Sequence, residues 1–474
     1  MPAAPARRAP SRRLPCPGGP TRTPHAPARL PRRRRRRSRR RRTTALALTE
    51  AALARIADPP ARARAFVAVQ AEAARATALA MDALRGAGRA PSPWAGIPIS
   101  VKDLFDQEGV PTRAGAAVLA EAPPAAGTAP AVARLQRAGF VVLGRTNMVE
   151  FAFSGLGVNP HFGTPLSPYD RATGRLPGGS SSGAAVAVAD GMGLGALGSD
   201  TGGSCRVPAA LCGIVGYKPT ARQVPLAGVL PLSPSLDSIG PLANTVGCCA
   251  VLHALMAGAE SAAPPVPRPV AGLRLGIPEG TFLFEGLEPA VAAAFDRAVA
   301  RLRDAGAFIE RFALPELGDI PVANAAGGFA AAESYAWHRG LIERAGAGYD
   351  PRILSRIRRG AAISAADYQA LVQARARIIA AAAPRLAPYD AVLCPTAALT
   401  PPPLSAVAEE AEYNRINLLL LRNTAAFNFL DGCSISLPCH APGEAPVGLM
   451  LSRMGGGDAA LFQAAASVEA ALAG

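Results

Sequence analysis

Two glycine- and serine-rich stretches hold the side chains best suited to chemistry in this chain: LPGGSSSGAA at 176–185 and GSDTGGSCRVPAALCG at 198–213. Glycine-rich turns adopt dihedrals other residues avoid and expose backbone N–H groups, which receive a phosphate or an oxyanion equally well. A phosphate loop of the G-x-x-x-x-G-K-[S/T] type needs a lysine after its last glycine, and neither stretch has one. Loops of this composition are more often structural than catalytic, and a serine hydroxyl is a poor nucleophile without a base. Histidine is hard to supply as that base. There is no G-x-S-x-G elbow with an ordered Asp and His behind it, and His161, near the first loop, could orient a substrate but fits no triad spacing.

Lysine usage narrows the search. Of fifty basic residues forty-eight are arginine, and only Lys102 and Lys218 are lysine. Arginine stays protonated in proteins, whereas a lysine, ordinarily titrating near pKa ~10.4, becomes a base where burial or a nearby positive charge favours its neutral form. Both lysines lie beside apolar segments, and Lys102 could equally pair with Asp103 or Asp106 at a strand end. A Ser–Lys device needs one lysine with serines close in space, which this chain offers.

These groups need elements to position them. The hydrophobic pattern predicts one or two alanine-rich helices over 49–87, broken at Pro59–Pro60. WAGIPISVKDLF predicts a short strand at Ile97–Val101 ending in Lys102–Asp103, and APAVARLQRAGFVVLGRTN a helix, a turn at Gly139 and a strand at Phe140–Leu143. A helix near 183–190 and an apolar segment at 192–198 separate the two glycine loops. Further on, LRLGIP, DAVLCPT, ISLPC and APVGLML read as strands, and 288–305, 325–346 and 364–386 as helices. This rhythm implies an α/β fold, a central mixed or largely parallel sheet with helices on both faces. Residues 44–474 are expected to form one domain, with a largely helical excursion around 257–405. Tyr335, Trp337 and Tyr413 could line a pocket there, although core or surface roles come first for each.

The chain resembles the amidase signature family. GIPISVKD matches that family's lysine segment, and PGGSSSG with GSDTGGSCRVPAALCGIVGYKPT its long serine- and glycine-rich stretch. NMVEFAFSG, DSIGPLA and ISLPC…APVGLML align with further landmarks, so the similarity runs from about 45 to 473. The resemblance implies an amidase-signature fold and hydrolysis of amide C–N bonds. It implies Ser204 as acylated nucleophile, Ser180 as bridging serine behind a cis peptide, and Lys102 as base. The amides of Thr201, Gly202, Gly203 and Ser204 would form the oxyanion hole, with Ser181, Asp200 and Arg206 in support and Lys218 structural. Ser182 stands where many relatives have glycine, and Cys205 where isoleucine is common, with no His or Asn beside it to suggest thiol catalysis.

Composition bounds the partners. Sixteen arginines and no acidic residue fall within residues 1–43, which leaves 34 basic against 34 acidic residues in the remaining chain. The neutral body therefore has no bulk electrostatic reason to bind a polyanion. The Pro/Arg-rich tail cannot form a packed core and is expected to be disordered. It reads as a misplaced start or dispensable extension in preference to a nucleic-acid or anionic-membrane anchor. No apolar run of about 18 residues suggests a membrane span. The cysteines, Cys16, Cys205, Cys212, Cys248, Cys249, Cys394, Cys433 and Cys439, match neither a disulfide framework nor a zinc pair. Reduced thiols in the cytoplasm fit them better. The expected partner is a small-molecule amide, with no metal or organic cofactor required; oligomeric state is open, a homodimer included. Two family branches stay in view: the glutamine-hydrolysing subunit of a Glu-tRNA(Gln)/Asp-tRNA(Asn) amidotransferase, and hydrolases of urea derivatives such as biuret or allophanate. The amidotransferase branch usually has glutamine where this chain has Val207.

Overall fold

The computed structural model describes residues 43–57 and 64–473. The Arg/Pro-rich tail and the break at Pro59–Pro60 lie outside the described residues.

Eleven strands make one mixed sheet. In chain order they are β1 (Phe66–Val69), β2 (Pro98–Lys102), β3 (Val141–Thr146), β4 (Gly195–Asp200), β5 (Val215–Lys218), β6 (Ser238–Ala243), β7 (Arg274–Glu279), β8 (Phe308–Ala313), β9 (Ala391–Pro395), β10 (Cys433–Pro438) and β11 (Gly448–Arg453). Across the sheet the order is β1-β3-β2-β4-β6-β5-β10-β11-β9-β7-β8. β2 runs parallel to both β3 and β4, and β7 parallel to both β8 and β9, while the centre is antiparallel.

Strand alternation sorts side chains between the two faces. Ile99, Val101, Leu197 and Ile239 pack with the helices Pro130–Arg137, Val246–Ala257 and Asp458–Ala473. Val141, Leu143, Ala196 and Leu242 pack with the helices Ala45–Ala57, Ser182–Ala189 and Arg206–Cys212. β2, β4 and β6 are consequently buried along their whole length, as strands covered on both faces must be. With few aromatic side chains, this core is filled mainly by Ala, Val, Leu and Ile.

The long helices fall where the pattern places them, at Pro289–Asp304, Gly328–Ala345 and Ala365–Leu386, the last opened by a Ser364/Asp367 capping box. The stretch 49–87 differs: between its helices Ala45–Ala57 and Ala71–Gly86 lies the four-residue strand β1, paired with β3. Four residues amid alanines are too few to show a period of two. Residues 257–405 hold the helices Pro289–Asp304, Asp319–Ala323, Gly328–Ala345, Pro351–Arg358 and Ala365–Leu386, together with β7, β8 and β9 at one end of the sheet. Among the described residues, no helix is long and apolar enough to cross a membrane, and no three His, Cys, Asp or Glu gather as metal ligands.

Candidate active site

Lys102 and Asp200 are the last residues of two adjacent parallel strands, so they emerge at the same edge of the sheet. The carboxyl edge of parallel strands is where α/β sheets collect functional groups. From β4 the chain turns through Thr201–Cys205 into the helix Arg206–Cys212, while Ser180 and Ser181 precede the helix Ser182–Ala189. The two glycine loops are joined by a hydrogen bond from the Ser181 amide to the Ser204 carbonyl, 3.3 Å. The Gly179–Ser180 peptide is cis, as the resemblance implies.

Lys102 is fully buried and donates from Nζ to Ser180 Oγ at 2.7 Å and to Ser199 Oγ at 2.8 Å. Burial pulls its pKa down to about 7, against the opposing pull of Asp200 and Asp237. The alternative pairings do not form: Asp103 accepts from Arg145 Nε at 2.9 Å, and Asp106 from Thr112 Oγ1 at 2.6 Å. With hydroxyl partners and no carboxylate in contact, the neutral amine is readily populated. Ser199 is a contact that sequence reasoning missed. It lies inside the matched glycine–serine stretch, and its one available signal was its place on β4, beside the strand that carries Lys102.

The loop after β4 is held by a buried ion pair. Arg206 donates to Asp200 from Nε (3.0 Å) and from its terminal nitrogen (2.8 Å), and Asp200 also accepts from the Cys205 amide (3.1 Å) and Asn428 Nδ2 (2.9 Å). Burial opposes ionisation of Asp200, but Arg206 and Asn428 outweigh it and hold the carboxyl well below the usual range. On the far side of the loop, Thr201 Oγ1 donates to Asp237, which also accepts the amides of Leu232 and Ser233. Gly203 has φ +136°, and a Cβ there would meet Thr424 Oγ1 at 2.1 Å, so only glycine fits. Thr424 in turn donates to the Gly202 carbonyl at 2.6 Å. Among the described residues, the amides of Thr201, Gly202, Gly203 and Ser204 have no acceptor.

Thr201, Gly202 and Ser204 line a cavity of about 660 Å³. Its wall is largely apolar, with Phe153, Phe282, Phe329 and Phe429 supplying the aromatic surface. The three aromatics considered from the sequence sit elsewhere. Tyr413 is fully buried and donates to Ser154 Oγ (3.0 Å), Trp337 packs near Phe151 (6.3 Å between centroids), and Tyr335 is half-buried against the core. Phe151 has φ +50°, an unusual conformation for a bulky residue, and is wedged among Trp337, His338 and Tyr349.

His161 is outside the cavity lining and meets the buried Glu150 at 2.9 Å. Burial raises Glu150 to about 8 and lowers His161, and both shifts favour the neutral form of each group. The Cys205 thiol is fully buried and its pKa pushed far up, chiefly by burial, which leaves no thiolate for nucleophilic chemistry. Lys218 donates to the carbonyls of Pro219 and Gly432, away from the cavity lining. Ser182 Oγ is buried with no partner among the described residues.

The amidase family model matches residues 47–462. The chain is 40% identical over 407 residues to a 2-amino-5-chloromuconic acid deaminase of Comamonas testosteroni, covering 84% of this chain and 86% of the relative. It is 40% identical over 356 residues to a glutamyl-tRNA(Gln) amidotransferase subunit of Chloroflexus aggregans, covering 69% of this chain and 72% of the relative. A crystal structure of an amidase superposes with a TM-score of 0.81 at 33% identity, over 90% of this chain and 96% of its own. The matched span, the mixed sheet between helical layers and the glycine–serine loops at its edge agree: the chain belongs to the amidase signature family, hydrolases of carbon–nitrogen bonds.

Proposed function

We propose that this chain is a serine amidohydrolase that cleaves the C–N bond of a carboxylic amide through an acyl-enzyme on Ser204, releasing ammonia or an amine. The observation that carries this reading is the 2.7 Å bond from buried Lys102 to Ser180, beside a loop that presents Ser204 to the cavity. With a pKa near 7, Lys102 takes a proton from Ser180 as Ser180 takes one from Ser204. The Ser204 oxygen attacks the carbonyl carbon, and the resulting oxyanion rests against the amides of Thr201, Gly202, Gly203 and Ser204. A single donor of this kind typically stabilises the transition state by about 3–4 kcal/mol. Ser181, Asp200 and Arg206 hold both loops in register. The proton returns through Ser180 to the leaving nitrogen as the C–N bond breaks. Water then attacks the acyl-enzyme along the same route in reverse, freeing the acid and regenerating Ser204.

The test is ammonia release from a panel of aliphatic, aromatic and urea-type amides plus glutamine, with quenched reactions read by intact mass. The expected result is an acyl adduct on Ser204 and no turnover in Ser204→Ala; undiminished ammonia release by that variant would overturn the reading. A second reading, the glutamine-hydrolysing component of a tRNA-dependent amidotransferase, is favoured by the similarity to the Chloroflexus protein. Val207 after the supporting arginine and the balanced charge of the body weigh against it. Turnover of glutamine alone within the panel would select it. Turnover of biuret or allophanate would select the urea-derivative branch.

A further inference from the structure

The cavity in front of Ser204 carries a charge pattern that amide hydrolysis does not require. Arg356, Arg359 and Arg422 all line it, the first two from the helix Pro351–Arg358 and the turn that follows, the third from the helix Glu410–Phe429. Among the described residues, no Asp or Glu lines the cavity, and none of the three arginines forms an ion pair. Arg356 donates to the Phe153 carbonyl and to Asn414 Oδ1, both at 2.9 Å. Arg422 donates to Asn423 Oδ1 at 3.2 Å and to the Glu285 carbonyl at 2.7 Å. The Arg359 guanidinium has no side-chain or carbonyl partner among the described residues and is exposed.

The carboxylates behind this wall are already engaged. Glu333 accepts from Ser233, Ser235 and Tyr368, and Asp237 from Thr201 and two amides. Elsewhere in the molecule the fully buried arginines have their counter-ions, Arg145 with Asp103 and Arg206 with Asp200. Arg356 is buried and Arg422 half-buried without a carboxylate partner, while Arg359 is exposed and solvated, so a ligand anion in the cavity supplies the counter-charge these arginines lack. Their planar forks suit a carboxylate, which accepts two parallel hydrogen bonds.

We propose that the substrate carries a carboxylate on its acyl portion and no ammonium group, and that Arg359 and Arg422 are the specificity-determining residues that receive it. The inference rests on the serine amidohydrolase reading of the same site. The substrate class is then the monoamide of a dicarboxylic acid, and the products are a dicarboxylate and ammonia. An ammonium group on the acyl chain would meet three like charges and no acidic side chain, so glutamine is a poorer substrate than its analogue without the amino group.

Three ω-carboxyl amides, succinamate, glutaramate and adipamate, are compared with neutral isosteres in which the carboxylate is replaced by an isopropyl group, and with glutamine. The expected result is kcat/KM at least about tenfold higher for the best anionic amide than for its isostere and for glutamine, the range for hydrogen bonds to a charged group. In the Arg359→Gln/Arg422→Gln double variant that ratio falls about tenfold or more through a raised KM, and the corresponding double Lys variant recovers part of it. Calorimetry of succinate, glutarate and adipate on the full Ser204→Ala chain runs alongside, with circular dichroism confirming that each variant is folded. Binding of at least one dicarboxylate, lost in the Gln double variant, is expected. Ser204-dependent turnover that favours the neutral amides overturns the charge inference and leaves the hydrolase reading standing. Turnover that survives Ser204→Ala overturns the hydrolase reading itself. No dicarboxylate binding, or binding indifferent to the double variant, also overturns the charge inference.

Discussion

The floor of the cavity and its wall are built on different principles. The floor comes from residues 98–243: two strand ends, two glycine loops, and a lysine, an aspartate and an arginine that are each completely buried and bonded. The wall comes mainly from helices between 319 and 429, joined by Phe153 and Phe282, and it includes exposed side chains, with Leu418 at 69% exposure. A buried, preorganised floor gives low dielectric and fixed donors, which reaction chemistry needs. A wall of side chains on helices can change its lining without moving the backbone of the floor. On the proposed reading, reaction and substrate choice are carried by separate parts of the chain, and substitutions should separate them.

The largest effects belong to the floor. Ser204→Ala should lower kcat at least about ten-thousandfold, the scale seen when a serine nucleophile is removed, while the denaturation midpoint stays close to that of the parent. Lys102→Ala should cost about 10²–10⁴-fold on an amide, the usual span for a general acid–base group, and distinctly less on a matched ester, because an alkoxide leaves without the protonation an amine needs. Lys102→Arg should give no rescue, since arginine does not deprotonate. Equal losses on amide and ester would remove Lys102 from leaving-group protonation.

Asp200→Asn tests whether the floor is one network. It leaves Arg206 buried without its counter-ion, and breaking such a pair costs about 3–5 kcal/mol, measurable by denaturant unfolding. Arg359→Gln on the wall should change stability by less than about 0.5 kcal/mol, as surface substitutions usually do. Similar values for the two would erase the distinction between floor and wall.

The pH dependence is gentler. With Lys102 at about 7, kcat/KM should rise roughly tenfold per pH unit below that value and level off above it. Stability moves in the same direction. Folding depresses this lysine from its unfolded value near 10.4, so between about 7 and 10.4 the unfolded chain binds the extra proton and the fold gains stability as pH rises. A flat rate profile between pH 5 and 8 would mean that Lys102 is not the titrating base.

The same division explains what the sequence discloses. Lys102, Ser180 and Ser204 stand out as candidates because only two lysines, two glycine–serine loops and no usable histidine offer such chemistry, and their proposed roles come from the resemblance to the amidase signature family. Asp200 and Arg206 are legible through the matched stretch, and their bidentate pair is six residues apart. Ser199 escapes because a serine on a strand ordinarily needs no explanation. Thr424 and Asn428 escape because they reach the loop from more than 200 residues away, on a helix whose pattern shows burial but not its neighbour. The wall is least legible of all. Phe329 and Phe429 meet across a long sequence separation with a centroid distance of 6.3 Å, and no local periodicity encodes which helix face turns toward Ser204. Tyr413 and Trp337, the more conspicuous aromatics, lie outside the cavity lining, the first buried and the second substantially exposed.

Leu418→Ala should have the smallest effect, and it probes the wall alone. The side chain lines the cavity yet is 69% exposed, so its removal takes away little burial and leaves no closed void. The stability change should stay within about 0.5 kcal/mol. Because the residue stands on the helix Glu410–Phe429 and makes no contact with the glycine loops among the hydrogen bonds found there, kcat for a small amide should stay within about threefold. What should move is KM along a series of lengthening acyl chains, by up to the ~0.8 kcal/mol that one methylene is worth in apolar contact. A fall in kcat matching that of a floor substitution would show that the helix positions Ser204 as well as shaping the cavity. Asn428 and Thr424, on the same helix, would then be the contacts that transmit it.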